Sequence, residues 1–167
     1  MNTTIRKAKI EDAHAIVTAE KEIAETPGYF CSQPNELSEQ NVIKTIKSFS
    51  ESEKGIYLVA ELNGKIVGHA FLEPLHLQSI CHVAQLSIGV HHGWQEKGIG
   101  TALMEQLISW AKQSETIEKI ELNVRASNNR AIALYKKMEF IEEGRLKNRI
   151  KVSPNHYIDD ILMALHV

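Results

Sequence analysis

Across residues 82–112 the hydrophobic period changes from that of a strand to that of a helix, through a turn that carries Gly98 and Gly100. On the strand side, alternation from His82 to Val90 places His82, Ala84, Leu86, Ile88 and Val90 on one face. On the helix side, Ile99 to Lys112 aligns Ile99, Ala102, Leu103, Leu107 and Trp110. Between them lies Gln95-Glu96-Lys97-Gly98-Ile99-Gly100-Thr101. Glycines in such a turn remove the Cβ atoms that would hold a diphosphate away from the backbone. The first amides of the following helix lack intrahelical acceptors, and the helix dipole adds partial positive charge. The segment is therefore a candidate anion site that needs no cluster of lysines. The same glycines would equally serve a tight strand-to-helix turn, and the turn alone leaves both uses open. Neither G-x-x-x-x-G-K-[ST] nor G-x-G-x-x-G is present.

The rest of the chain frames this segment with alternating strands and helices. Ile5 to Ile10 reads as a short strand, and Asp12 as the cap of a helix carrying Ile16, Val17, Ile23 and Ala24 on one side. Thr26-Pro27-Gly28 ends that helix, and a loop with Tyr29, Phe30 and Glu36 leads to a second, capped by Ser38. Ile56–Leu62 and Lys65–Leu72 form a hairpin around Asn63-Gly64, the strongest short hairpin signal. Ile120 to Val124 is a strand, Asn128 caps a helix through Met138, and Phe140–Val152 with Tyr157–Leu165 closes the chain as a hairpin. This order predicts an α/β (α+β) fold, a mixed and largely antiparallel sheet flanked by about four helices. One domain is expected over residues 1–167, since nothing repeats and no linker-like stretch divides the chain.

Charge narrows the function classes. The formal net charge of −2 supplies no basic field for nucleic acid or an anionic membrane. With no long apolar run and a charged start, a signal peptide or membrane span is not expected. Cys31 and Cys81 have neither metal nor redox spacing, which suits a reducing cytoplasm. Cys81 and His82 point to opposite faces of a strand and His91-His92 lack ligand spacing, so no metal is expected. Arg145, Lys147, Arg149 and Lys151 alternate along one strand; they read as a solvated face, with a contact to an acidic group left open.

Two ordered blocks carry a family resemblance. Leu86-Ser87-Ile88-Gly89-Val90 followed by Gln95-Glu96-Lys97-Gly98-Ile99-Gly100 resembles motif A of the GCN5-related N-acetyltransferase superfamily, (Q/R)-x-x-G-x-(G/A) after a strand. Leu122 to Tyr135 is similar to its motif B, with Asn128, Ala131 and Tyr135 in register, and Tyr157 to Met163 resembles the last strand of bacterial members. The resemblance implies an enzyme that moves acetyl from acetyl-CoA to a primary amine by direct attack in a ternary complex. It implies splayed central strands, often with a β-bulge, for which Gly89 is the natural place. Backbone amides of Gln95, Glu96, Lys97, Gly98, Ile99, Gly100 and Thr101 would hold the pyrophosphate, and main-chain groups of Ile88 and Val90 the pantetheine arm, in the manner of an added strand. The Val90 amide would polarise the thioester carbonyl. Asn128 would touch the cosubstrate while capping its helix, and Tyr135 would protonate the departing thiolate, unless it is a core aromatic. Tyr29, Phe30 and Glu36 occupy the region that shapes the acceptor pocket in relatives. A homodimer is a further expectation of the resemblance.

The proton acceptor is where the chain departs from the pattern. Several bacterial relatives have Glu-Leu where this chain has Gln85-Leu86, and an amide cannot take a proton from an ammonium. His82, Glu73 or a water chain are the local substitutes. The missing carboxylate also keeps a second reading open, a CoA-binding sensor or adaptor without catalysis. Glu139 stands where relatives usually have glycine, a change expected to touch the helix terminus rather than the chemistry.

Overall fold

A computed structural model describes residues 3–52 and 54–167. Met1 and Asn2, at the head of the alternating N-terminal run, lie outside the described residues. Seven strands form one sheet in the order β1-β2-β3-β4-β5-β7-β6. They are β1 (Thr4–Lys7), β2 (Ile56–Leu62), β3 (Lys65–Pro74), β4 (Val83–Val90), β5 (Lys119–Arg125), β6 (Ile141–Ser153) and β7 (His156–His166). The helices are α1 (Ala13–Ala24), α2 (Glu39–Ser52), α3 (Ile99–Gln113) and α4 (Asn129–Lys137). Every strand pair is antiparallel except β4–β5. The mixed, largely antiparallel sheet with four flanking helices matches the class read from the sequence.

Local chemistry accounts for the elements. Asn63 and Gly64 both adopt positive φ (51° and 77°), which a two-residue hairpin turn of matching twist requires. Asn128 caps α4, its Oδ1 accepting from the Ala131 amide at 3.2 Å. Asp12 differs from expectation. It makes no cap bond to α1; its carboxylate accepts instead from the Lys9 amide at 2.7 Å and pairs with Arg6 at 2.8 Å, closing a short 3₁₀ turn at Ile10–Asp12.

Helices cover the sheet on both faces. α3 buries Ile99, Leu103, Met104, Leu107, Ile108 and Ala111 against Leu58, Ala70, Leu72, Ala84 and Leu86. α1 and α2 cover the other face, where Ile16, Val17, Ile46 and Phe49 meet Tyr57, Val59 and Ile66. Ala84, Leu86, Ile88 and Val90 fall on the α3 face, as alternation predicts. His82 stands in the turn before β4 rather than in the strand.

The feature that makes room for a site is a divergence at the middle of the sheet. Strand β4 pairs with β5 only through Val83, Ala84 and Gln85, facing Lys119, Ile120 and Glu121. Beyond Gln85, β4 continues along β3 to Val90 while β5 leaves it and follows β7 to Arg125. The splay requires no bulge in β4, whose register with β3 is unbroken from Ala84 to Val90. The register shift in this part of the sheet lies on the other side of β3, at Ala60/Glu61 of β2.

Candidate active site

The splay opens a cleft of about 710 Å³ through the sheet. One end is lined by Gln95, Glu96, Gly98, Gly100 and Thr101 of the glycine turn and by Asn128, Arg130, Leu134 and Tyr135 of α4. The other end is lined by Glu20 and Ile23 of α1, the loop from Tyr29 to Ser32, and Phe71. Leu86 to Val90 of β4 runs between them.

The backbone of β4 is an open edge along this cleft. The His91 amide donates to Val67 O at 3.0 Å and the Leu75 amide to Val83 O at 2.9 Å. These bonds fix the odd-numbered residues of β4 as those bonded to β3. The N–H and C=O groups of Ala84, Leu86, Ile88 and Val90 therefore point toward β5, and past Gln85 there is no β5 partner to meet them. Ile88 and Val90 thus present main-chain donors and acceptors to the cleft. Val90 O accepts from Gln95 Nε2 at 3.5 Å in that gap.

The glycine turn divides its work among its residues. Gly98 adopts φ +79° at the N-terminus of α3, and a Cβ there would meet nothing within 4 Å. The first intrahelical bond runs from the Ala102 amide to Gly98 O, so the amides of Ile99, Gly100 and Thr101 have no helical acceptor. Gly100 is small for another reason: a Cβ there would sit 3.0 Å from Leu134 Cδ2. It permits α3 and α4 to approach, rather than keeping a ligand path clear. Side chains brace the turn. Gln95 Oε1 accepts from the Gly93 amide at 3.0 Å, and Lys97 Nζ donates to Gly93 O at 2.9 Å while lying 4.8 Å over the Trp94 ring. The side chains of Lys97 and Ile99 accordingly do not line the cleft; that of Ile99 is buried in the core.

Tyr135 lies in the cleft wall, 7% exposed, against Phe140. Burial pushes its phenol up to about 12, against the opposing effect of the Arg125 charge. Tyr29 and Phe30 line the end of the cleft beside α1, and Ser127 Oγ donates to Gly28 O at 3.4 Å, tying their loop to the β5–α4 connection. Glu36 stays outside, its Oε2 accepting from the Gln33 amide at 2.7 Å. His82 and Glu73 also stand apart from the cleft; Glu73 lies opposite Gln85 in the β3–β4 ladder.

Glu20 is the cleft carboxylate that sequence reasoning passed over. Its signal was a charged residue on the apolar stripe of α1, four residues after Ile16 and three before Ile23. Among the described residues no group of three or more His, Cys, Asp or Glu side chains could hold a metal ion, and no helix is long and apolar enough to cross a membrane.

Comparison with known proteins agrees with this geometry. The profile of the Acetyltransferase (GNAT) family matches residues 17–140. The L-amino acid N-acetyltransferase AaaT of Escherichia coli (strain K12) is 34% identical over 107 residues, 64% of this chain. The chain covers 65% of that relative, just under two thirds of its length. A GNAT-family acetyltransferase from Streptococcus pneumoniae superposes with a TM-score of 0.90 at 26% identity, over 99% of this chain and 100% of that one. The fold is also that of yncA from Salmonella typhimurium, solved with its cofactor acetyl-CoA: TM-score 0.89, 20% identity, over 98% and 93% of the two chains.

Proposed function

The chain belongs to the acetyltransferase (GNAT) family, and on that premise we propose that it transfers acetyl from acetyl-CoA to a primary amine by direct attack within a ternary complex. The observation that carries the reading is the open edge of β4, with Ile88 and Val90 facing a cleft that begins at the unpartnered amides of α3. Acetyl-CoA supplies a thioester, whose C–S bond breaks as the new N–C bond forms.

The chain's own groups divide the remaining tasks. Amides of Ile99, Gly100 and Thr101, with Gly98 leaving its side of the turn clear, form a cradle for a diphosphate. The Ile88 and Val90 backbone groups suit the amides of a pantetheine arm, as a strand added to the sheet edge. The Val90 N–H is available to donate to the thioester oxygen as charge builds there. Asn128 keeps its Nδ2 for the ligand while Oδ1 caps α4. Burial keeps Tyr135 a neutral phenol at ordinary pH, the form that can donate. The same burial makes a phenolate costly, which favours a shared hydrogen bond to the leaving sulfur over outright transfer of the proton. Tyr29 and Phe30 shape the acceptor end. The amino-acid acceptor named for the relative AaaT makes a small amine the first acceptor class to try.

The competing route is a covalent acetyl-enzyme on Cys31, an exposed thiol that lines the cleft. Initial rates measured while both substrates vary separate the two. Direct attack gives intersecting reciprocal plots and full turnover in Cys31→Ala; parallel plots with loss of activity in that variant would replace it. A second reading, a non-catalytic CoA-binding sensor, draws on Gln85 in place of a carboxylate. It predicts acetyl-CoA binding with no thiol release for any amine.

A further inference from the structure

Three acid–base side chains stand in a row that starts at the acceptor end of the cleft and runs into the core. Glu20 lies on the buried stripe of α1 with its side chain 13% exposed. Its Oε1 is 3.2 Å from Nε2 of His69 on β3, which is 0% exposed. His69 Nδ1 is in turn 3.1 Å from Nε2 of His91, just past β4 and also buried. The approach of His69 Nε2 to Glu20 lacks hydrogen-bonding geometry, so among the described residues this fully buried ring nitrogen has no formed bond. Burial of such a group without a bond is costly, and a contact of this kind is one that tightens when a reactant is in place.

Gly89 ties the row to the cleft. A Cβ at that position would fall 2.9 Å from His69 Cε1 and 3.1 Å from Nε2, so the absent side chain is the space the imidazole occupies. Gly89 also lines the cleft, so the ring packs directly against a residue of the cleft wall. The family's bulge is therefore not what this glycine serves.

We propose that Glu20 is the group that holds the acceptor's ammonium and takes its proton, with His69 and His91 as positioning residues behind it. The inference rests on the amine-acetylation reading above. The His69 ring stands 3.2 Å behind the Glu20 carboxylate, and its Nδ1 contact with His91 Nε2 at 3.1 Å holds that ring in place from the core side. The row ends in a carboxylate at the cleft. An ammonium bound there passes one N–H proton to Glu20, which becomes the neutral acid, and the freed lone pair attacks the thioester carbon. Of the two protons the ammonium loses, one leaves through Glu20 to solvent and the other ends on the sulfur.

The surroundings fit a charge kept for a substrate. From β2, Tyr57 faces His69 with ring centroids 6.4 Å apart, and burial together with the Glu20 charge holds its phenol well above the usual range. Lys65, at the start of β3, acts on His91, which burial and the neighbouring His69 push down to about 3 and so keep neutral. The residues of β4 facing Glu20 across the cleft, Ser87 and Gly89, are uncharged. Arg125 of β5, a buried cation that lines the cleft, is already paired with Asp160. Among the described residues, His69 is the basic side chain that approaches Glu20 within 4 Å.

The test uses the full chain with wild type, Glu20→Gln and His69→Gln, acetyl-CoA, and two classes of acceptor. One class is alkyl amines that are ammonium ions at pH 7; the other is hydroxylamine, which is already neutral there. For alkyl amines, Glu20→Gln is expected to lower kcat/KM by about a hundred-fold at pH 7 with acetyl-CoA affinity unchanged. The deficit should shrink as pH rises toward the amine's own pKa, and should be largely absent with hydroxylamine. His69→Gln should lower the alkyl-amine rate less and shift its pH limb, while leaving the hydroxylamine rate in place. Equal losses with both acceptor classes at every pH would mark Glu20 and His69 as structural and overturn the proposal. So would a Glu20→Gln enzyme indistinguishable from an active wild type, and the amine-acetylation reading would survive that result. A wild type that binds acetyl-CoA yet acetylates neither class would bring down both.

Discussion

Arg125 and Asp160 face each other across β5 and β7, with Nε and Nη2 of the guanidinium both 2.7 Å from Oδ1, and both side chains are less than a tenth exposed. The pair fixes the last residue of β5 at the point where that strand forms the cleft wall. Removing one partner leaves a charge buried alone, which costs more than the pair contributes. Asp160→Asn is expected to destabilise the protein by about 3 kcal/mol or more, measured by urea unfolding. Arg125→Met with Asp160→Leu should recover much of that loss, because neither buried charge is then left unpaired.

The two turn glycines should fail in different ways. Gly98→Val places a β-branched residue at φ +79° with its side chain in the open space of the glycine turn. It should lose acetyl-CoA binding by calorimetry while the remaining fold is retained by circular dichroism. Gly100→Val instead meets Leu134 and should lower the melting temperature first. Lys97→Ala, whose amine is engaged with Gly93 and Trp94, should change affinity much less than Gly98→Val.

Much of this was legible in the sequence because it is local. Asn63-Gly64 dictates a turn by its own φ preference, and Asn128 caps its helix within three residues. The change of period around Gly98 marked the turn, and the two motifs in register supplied residues that the structure brings together along one end of the cleft. What stayed hidden depends on contacts distant in sequence. Glu20 and His69 are 49 positions apart and meet only because α1 packs across β3. The small size of Gly89 and Gly100 is explained by His69 and Leu134, neither of them a chain neighbour. Glu139 shows the converse. It takes φ 67° at the end of α4, where Phe140 N bonds Tyr135 O and Glu139 N bonds Lys136 O, so the glycine-type helix stop persists without glycine.

Acid should unfold the protein partly through His91. Its folded pKa, pushed down to about 3 by burial and by His69, lies below the ordinary histidine value of 6.5. Between those values the unfolded chain binds the extra proton, so stability is fully present above about pH 6.5 and falls as pH drops toward 3. Denaturant midpoints taken between pH 6.5 and about 4.5, above the main carboxylate range, should decline in the wild type. The decline should be shallower in His91→Gln, and parallel slopes would show that His91 does not carry it.

Tyr135→Phe keeps the packing against Phe140 and removes the hydroxyl alone. If that hydroxyl donates to the leaving sulfur, kcat should fall by about a hundred-fold with acetyl-CoA affinity little changed. Stopped-flow single-turnover rates would check this where product release limits the steady state.

The most direct measurement follows free thiol and acetylated amine together, with wild-type protein, acetyl-CoA and a panel of amino acids, polyamines and short peptides. The account predicts that at least one primary amine gives thiol and N-acetyl product in equal amounts, at a rate that rises with pH through the neutral range. Tight binding of acetyl-CoA with no thiol released by any amine in the panel would contradict it.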